Sequence, residues 1–144
     1  MNANDAQLTE VITAQSGSTI DESAPNSPMP GAPASAATFD LVLEGVAGNA
    51  IGNSGGPYAL KVTCMDRTTV TAAPALDPPI GAQTFIAPLW EPNGPDDYSS
   101  HQVFTINVPA PNAYAGHVLQ YVASLVSVND QVVSIVESEP FILV

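Results

Sequence analysis

Apolar and polar residues alternate with a period of two in short runs from residue 38 onward, and this pattern constrains the fold most strongly. In the run 38–44, Phe39, Leu41 and Leu43 fall on one side of an extended chain and polar residues fall mainly on the other. Such alternation is typical of half-buried β-strands. Further strands are expected at 58–64, 68–73, 83–87, 99–108, 117–126, 131–137 and 139–144. The pattern predicts an all-β protein.

The connections between these runs favour an antiparallel arrangement. The glycine-rich stretch 45–56 is expected to be a loop, prolines at 74, 78 and 79 confine their region to edges and connections, and 128–131 is expected to be a tight hairpin turn. Many short strands with turn signals between them predict an antiparallel β-sandwich over residues 37–144. A jelly roll or a small barrel is the alternative.

The segment around Tyr121 carries a resemblance to a known family. Leu119-Gln120-Tyr121-Val122-Ala123, after a turn at Gly116, resembles the penultimate strand of immunoglobulin and fibronectin type III domains. That resemblance implies an immunoglobulin-like sandwich in which the tyrosine caps a corner of the fold. The disulfide of antibody domains is missing because Cys64 is the only cysteine, and Trp90 lies among prolines. The resemblance covers residues 37–144 and concerns the fold alone.

Residues 1–36 differ in composition and are expected to form an extended N-terminal arm. Prolines at 25, 28, 30 and 33 stand among Ser, Ala and Gly, as in a flexible linker. Ahead of them, Leu8, Val11 and Ile12 have the spacing of a helix, although their β-branched neighbours favour a strand equally. The arm is expected either to be disordered or to become ordered by docking on a partner, and residues 37–144 to fold without it.

The charge balance narrows the classes of partner. The chain has 14 Asp and Glu against 2 Lys and Arg among 144 residues, a net charge of −12. Nucleic-acid binding and attraction to anionic membranes both need clustered cations, so neither is expected. Protein partners with a basic or neutral face are favoured. With neither a signal peptide nor a long apolar run, the chain is expected in the cytoplasm at synthesis, or at the surface of a virion or other particle.

One hexapeptide resembles the nucleophile loop of chymotrypsin-like serine proteases. Gly52-Asn53-Ser54-Gly55-Gly56-Pro57 also fits the G-x-S-x-G pattern of a nucleophile elbow. The protease order of His, Asp and Ser is not met, because no histidine precedes Ser54, and Pro57 leads into a strand instead of a helix. A loop between two strands is the favoured interpretation. A serine hydrolase is retained only as a remote alternative, and no catalytic residue is assigned.

The segment 90–98 is the best candidate for a ligand site. Trp90, Asp96, Asp97 and Tyr98 bring carboxylates and aromatic rings together, and such loops hold Ca²⁺ or stack on sugars in some β-sandwiches. A calcium- or carbohydrate-dependent binding module is therefore one alternative function. Solvated carboxylates beside a packing tryptophan are the other interpretation.

Neither a metal nor a cofactor is expected elsewhere. His101 and His117 have no Cys or His at the spacing of zinc ligands. Cys64 falls on the inward side of its strand, which predicts a buried, unreactive thiol.

These observations favour a non-enzymatic structural or interaction protein attached to a larger assembly. A capsid decoration protein, or a subunit of a bacterial appendage or contractile particle, would fit, and a homo-oligomer on the particle is a further expectation. The arm and the apolar C-terminal strand are the expected attachment points. The residues expected to bind a partner are Leu8, Val11, Ile12, Phe141 and Leu143.

Overall fold

Two antiparallel β-sheets face each other in the computed structural model, which describes residues 2–25, 37–54, 58–80, 90–126 and 131–143. The first sheet contains β1 (Ala6–Gln15), β2 (Thr38–Gly48), β5 (Glu91–Pro92) and β6 (Asp97–Asn107), in the order β1-β2-β6-β5. The second contains β3 (Ala59–Asp66), β4 (Thr71–Ala72), β7 (Val118–Val126) and β8 (Val132–Glu137), in the order β4-β3-β7-β8, with β9 (Phe141–Ile142) also paired to β7. A short helix α1 (Asn49–Ser54) and a 3-10 turn (Pro74–Leu76) complete the described elements. The predicted all-β antiparallel sandwich is confirmed.

The core between the sheets is built from the inward side of the alternating runs. On β7, Leu119, Tyr121, Ala123 and Leu125 are all fully buried, as the period of two requires. At the centre, the ring of Tyr121 stacks on that of Phe141, with centroids 5.5 Å apart, and Phe39 lies against both rings. The alternation therefore identifies the core-facing side of this strand correctly.

Residues 6–15 belong to the sandwich, so the prediction that residues 1–36 form a separate arm is wrong for this stretch. β1 pairs with β2 along its length, and Leu8 and Val11 are buried in the core. The register shifts between Leu8 and Glu10, so that Thr9 is an extra, bulged residue. Because of this bulge, Leu8 and Val11 both face inward although they are three positions apart. Residues 26–36, the proline-rich part of the expected arm, lie outside the described residues.

The chain after β1 turns back and bridges the two sheets. Glu22 N–H donates to the carbonyl of Thr13 on β1 at 2.8 Å, and the Thr13 hydroxyl donates to the carbonyl of Glu22. The next residue, Ser23, accepts a hydrogen bond from Ile142 N–H on β9, also at 2.8 Å. Residues 22–23 thus connect the edges of the two sheets through backbone hydrogen bonds.

The glycine-rich stretch 45–56, expected to be a loop, is partly strand and partly helix. β2 continues to Gly48, and α1 follows at once. Gly48 and Gly52 are needed for close approach rather than for turning. A Cβ on Gly48 would lie 2.1 Å from the carbonyl oxygen of Asn2, and one on Gly52 would lie 2.1 Å from the ring of Tyr98. Residues 55–57 lie outside the described part.

Other sequence predictions meet mixed outcomes. The weak strand expected at 68–73 is reduced to the two residues of β4, because residues 67–70 form a turn in which Val70 has a φ of +58°. The strand expected at 83–87 and most of the turn expected at 128–131 lie outside the described residues. Within the described part, no helix has the length and apolar character needed to cross a bilayer.

Candidate functional site

A groove runs between β1 and β8, the terminal strands of the two sheets. Asp5–Gln7 face Val132–Ile135 at one end, and Thr9–Ile12 face Val136–Glu139 at the other, so the two strands run in the same direction. Leu8 N–H donates to Ser134 Oγ at 2.9 Å across the groove. β8 also has a bulge, since the register with β7 shifts between Leu125 and Val126. Each of the two strands that border the groove therefore contains a bulge.

The first part of this groove, here called the open end, has a volume of about 590 Å³. Its β8 side carries aliphatic side chains in solvent, with Val132 59%, Val133 46% and Ile135 58% exposed. These are large values for aliphatic residues on a strand. An apolar strand at the edge of a sheet invites pairing with another chain. The open end therefore combines exposed aliphatic side chains with the edge of β8, which lies directly beside β1. Its lining residues are Asp5, Ala6, Gln7, Tyr58, Val132, Val133, Ser134 and Ile135.

The second part, here called the acidic end, is smaller, at about 250 Å³. Four carboxylates line it, from Glu10, Asp21, Glu137 and Glu139. Neither of the chain's two cations, Lys61 and Arg67, lines either part of the groove. The side chain of Arg67 instead donates to Gln120 Oε1 at 2.8 Å through its Nε. Among the described lining residues, the acidic end therefore carries four carboxylates and neither Lys nor Arg.

Most of the residues expected to bind a partner lie in the chain's own core. Leu8, Val11, Phe141 and Leu143 are almost completely buried, and only Ile12 is partly exposed, where it lines the acidic end. Their hydrophobic side chains are covered by the opposite sheet, so the sequence identified core residues and not a docking surface. The attachment points expected on the arm and on the C-terminal strand are thus corrected for these four buried residues.

The structure separates the residues of the expected ligand site in the segment 90–98. Trp90 is only 5% exposed, and its ring lies against Gly45, so it is not available to stack on a sugar. The Tyr98 hydroxyl donates a hydrogen bond of 2.6 Å to Oδ1 of Asn53 on α1. Asp96 and Asp97 are exposed. Among the residues that the structure describes, no three His, Cys, Asp or Glu side chains are arranged to hold a metal ion.

Nδ1 of each histidine lies within hydrogen-bond distance of a carboxylate oxygen from a different strand. His101 Nδ1 lies 2.9 Å from Glu44 Oε1 on the exposed face of the first sheet. His117 Nδ1 lies 2.7 Å from Oδ2 of Asp66, which is buried and also accepts the N–H groups of Thr68 and Thr69. Burial would raise the pKa of Asp66, but the hydrogen bonds from His117, Thr69 and Thr68 outweigh it and hold the pKa below its usual value. This arrangement fixes the turn after β3.

Ser54 and Cys64, the two candidate nucleophiles, occupy unpromising positions. Ser54 is the last residue of α1, whereas the serine of a nucleophile elbow lies just before a helix. Cys64 is fully buried on β3, as predicted. Burial, and next the carboxylate of Asp77, raise the pKa of the Cys64 thiol to about 12. The thiol therefore stays protonated at neutral pH.

Sequence reasoning overlooked the exposed side of β8. The signal was present in the run 132–136, where four of five residues are aliphatic and so fall on both sides of the strand. A strand that is apolar on both sides is either central and covered, or at an edge with one side uncovered. Only the pairing of strands decides between these cases, and it places β8 at the end of its sheet.

Comparison with known proteins adds no relative. No protein-family model matches the chain, and no curated protein is found to be similar to it.

Proposed function

We propose that this chain is a non-enzymatic interaction domain that attaches to a larger protein assembly through the strand edge at β8. The observation that supports this proposal most directly is the exposure of Val132, Val133 and Ile135 on the last strand of the second sheet. Fully burying an exposed aliphatic side chain of this size contributes roughly 1.5–3 kcal/mol, and a partner that covers these half-exposed side chains would gain about half of that for each. The net charge of −12 opposes contact between copies and favours a less acidic partner.

The non-enzymatic part of the proposal is supported by the environment of the groups that catalysis would need. A serine or cysteine nucleophile requires a neighbouring base within hydrogen-bond reach. Here the Cys64 thiol is buried with a high pKa, and Ser54 ends the short helix α1 instead of preceding a helix. These positions support a non-enzymatic role.

We also propose that the sandwich belongs to the immunoglobulin-like class. In such domains strands A, B, E and D form one sheet and C, F and G the other. The orders β1-β2-β6-β5 and β4-β3-β7-β8 support this class when β1, β2, β3, β5, β6, β7 and β8 are read as A, B, C, D, E, F and G. One detail differs from the resemblance, because the Tyr121 hydroxyl bonds to Leu76 and not to the connection just before β7. Domains of this class serve many functions, so the class itself does not assign one.

The attachment is tested by sedimentation of native extracts. Ile135→Lys places a positive charge on the exposed side of β8. Val70→Lys is the control, because it places the same charge on an exposed residue in the turn between β3 and β4. We expect the wild-type chain and Val70→Lys to sediment with a large particle, and Ile135→Lys to sediment as a free, folded chain. The proposal fails if the wild-type chain is free in the native extract, or if Ile135→Lys stays bound.

A further inference from the structure

We propose that the partner covers the outer face of the second sheet as well as its edge at β8, with an apolar surface that carries a carboxylate opposite Lys61. This inference rests on the proposed function as an interaction domain, and it specifies how far the attachment surface extends and what the partner presents there. The partner is a different protein, because the net charge of −12 opposes the approach of a second copy.

The centre of this face consists of two rows of residues that cross β3, β7 and β8. The rows, here called the outer patch, are Lys61 with Ser124 and Ile135, and Thr63 with Val122 and Glu137. On β3 and β7 their chain neighbours Leu60, Val62, Ala123 and Leu125 are buried in the core, so the side chains of the rows point away from it. The middle of the outer patch carries short side chains. It therefore has low relief, and a flat partner surface can cover it.

Apolar side chains continue along the same face beyond the outer patch. Val118 on β7 pairs with Ile142 on β9, and these two residues are 40% and 38% exposed. Together with Ile135, three exposed aliphatic side chains lie on the outside of one sheet. On the outside of the first sheet, the described residues include one such side chain, Val103. A partner therefore removes more apolar surface from water by covering this face than by touching the edge of β8 alone.

Both cations of the chain lie at this face. Lys61 is exposed within the outer patch, and no side chain that the structure describes forms an ion pair with it. Arg67 follows β3 and donates to Oε1 of Gln120, whose Nε2 lies 3.4 Å from Oε2 of Glu137. The outer patch and Arg67 thus carry two cations and one carboxylate, in a chain with 14 acidic residues.

The position of Lys61 decides what the partner presents there. A surface that covers Ile135 and the rest of its row also covers the Lys61 ammonium. An ammonium that loses water without a partner is costly to bury, and a carboxylate is the acceptor that best offsets this cost. The acidic end lies at β8, two strands from Lys61 and therefore about 10 Å away. Because the Debye length is about 8 Å at physiological salt, a carboxylate placed at Lys61 interacts mainly with that lysine.

Cross-linking with a carbodiimide tests the stated chemistry. Lys61 is the only lysine of the chain, and this reagent joins an amine directly to a carboxylate in contact with it. In the sedimenting fraction of a native extract, we expect an amide between Lys61 and an Asp or Glu of a different protein, identified by mass spectrometry of the cross-linked peptides. Lys61→Arg keeps the charge and should still sediment with the particle, but it should lose this cross-link. A sedimented wild-type chain without a Lys61 cross-link, or with one to a second copy, would overturn the proposal.

Two pairs of variants separate this face from the rest of the surface. Lys61→Gln and Asn107→Asp change the net charge equally, and Asn107 lies at the exposed end of β6 in the first sheet. We expect Lys61→Gln to raise the dissociation constant from the particle roughly threefold to tenfold, measured by sedimentation over a range of chain concentrations, and Asn107→Asp to change it much less. Ser124→Trp adds bulk at the centre of the outer patch and should release the chain, whereas Val103→Trp, on the outside of the first sheet, should leave it bound. Circular dichroism checks that each free variant is folded. Equal effects within either pair would contradict the proposal.

This proposal and the proposed function can fail separately. If Ile135→Lys releases the chain from its particle while Lys61→Gln and Ser124→Trp stay bound as the wild type does, the attachment is confined to the edge of β8 and the outer patch is not part of it. If the wild-type chain sediments free in the native extract, the interaction domain itself is wrong, and the outer patch has no partner to cover it.

Discussion

The hydroxyl of Tyr121 in the middle of β7 donates a hydrogen bond of 2.6 Å to the carbonyl oxygen of Leu76 in the 3-10 turn. Both residues are fully buried. The bond therefore ties the segment after β4 to the centre of the second sheet, and it satisfies a carbonyl that water cannot reach.

Tyr121→Phe keeps the ring in the core but leaves that carbonyl without its partner. We expect a loss of about 1–3 kcal/mol in the free energy of unfolding, measured by urea denaturation. Tyr58→Phe is the matched control, because the Tyr58 hydroxyl bonds to the exposed carbonyl of Asn4. Equal losses in the free energy of unfolding for the two variants would contradict a larger contribution from the buried Tyr121 hydrogen bond.

Truncation of Leu8 tests whether β1 is part of the folding unit. Leu8 is 1% exposed, so Leu8→Ala should lower the free energy of unfolding by about 2–5 kcal/mol. Removal of residues 1–15 should abolish the cooperative thermal transition. Ile20→Ala, at a residue 70% exposed, is expected to stay within about 0.5 kcal/mol of wild type. A cooperative melt of the chain without residues 1–15 would restore the view of an independent arm.

The contact between Gly52 and Tyr98 should resist any side chain at position 52. A Cβ there would overlap the Tyr98 ring, so Gly52→Ala should cost about 1–3 kcal/mol. Tyr98→Ala removes the overlap, and the double variant should therefore lose less stability than the sum of the two single variants. Strict additivity in the unfolding free energies would show that the ring moves aside freely.

Asp66 should make the protein sensitive to acid. Its pKa is lower in the folded chain than the value of about 3.9 expected when unfolded, so its ionised form stabilises the fold above that pH. This contribution is lost as the pH falls through the lowered folded pKa. Asp66→Asn should reduce stability at pH 7 and flatten the decline on the acid side, as followed by urea midpoints from pH 7 to pH 2.5. Glu44→Gln, at the exposed carboxylate beside His101, should leave that decline almost unchanged. A parallel decline in wild type and Asp66→Asn would contradict this role.

The alternation in the sequence was sufficient to predict the strands of the core, because side chains on β3 and β7 meet the opposite sheet at every second residue. It failed at β1, where the extra residue Thr9 converts a period of two into a spacing of three between Leu8 and Val11. A bulge has no distinct local signature in the sequence, so the spacing of these residues fits a helix as well as a strand. The loop predicted from the glycines at 45–56 was wrong for a related reason. Gly48 and Gly52 allow close approach by Asn2 and Tyr98, which are distant in the sequence.

The candidate site was hidden by the same limit. Composition predicted that partners would be less acidic than this chain, but the groove depends on which strands end each sheet. That choice follows from long-range pairing, which joins β1 to β2 and β8 to β7 and leaves their other edges facing each other. The expectation of a less acidic partner therefore stays a prediction, and local patterns did not indicate the surface that the strand pairing creates.

The position of Cys64 at the centre of β3 turns this thiol into a reporter of opening motions. The folded chain keeps it buried and protonated, with a pKa of about 12, so a thiol reagent can attack only molecules in which the structure around β3 has opened. The labelling rate of the unmodified protein thus measures how often the sandwich opens. Because the buried Cys64 thiol does not react until such an opening occurs, a cysteine introduced on the exposed side of β8 would accept a spectroscopic probe without competition from Cys64.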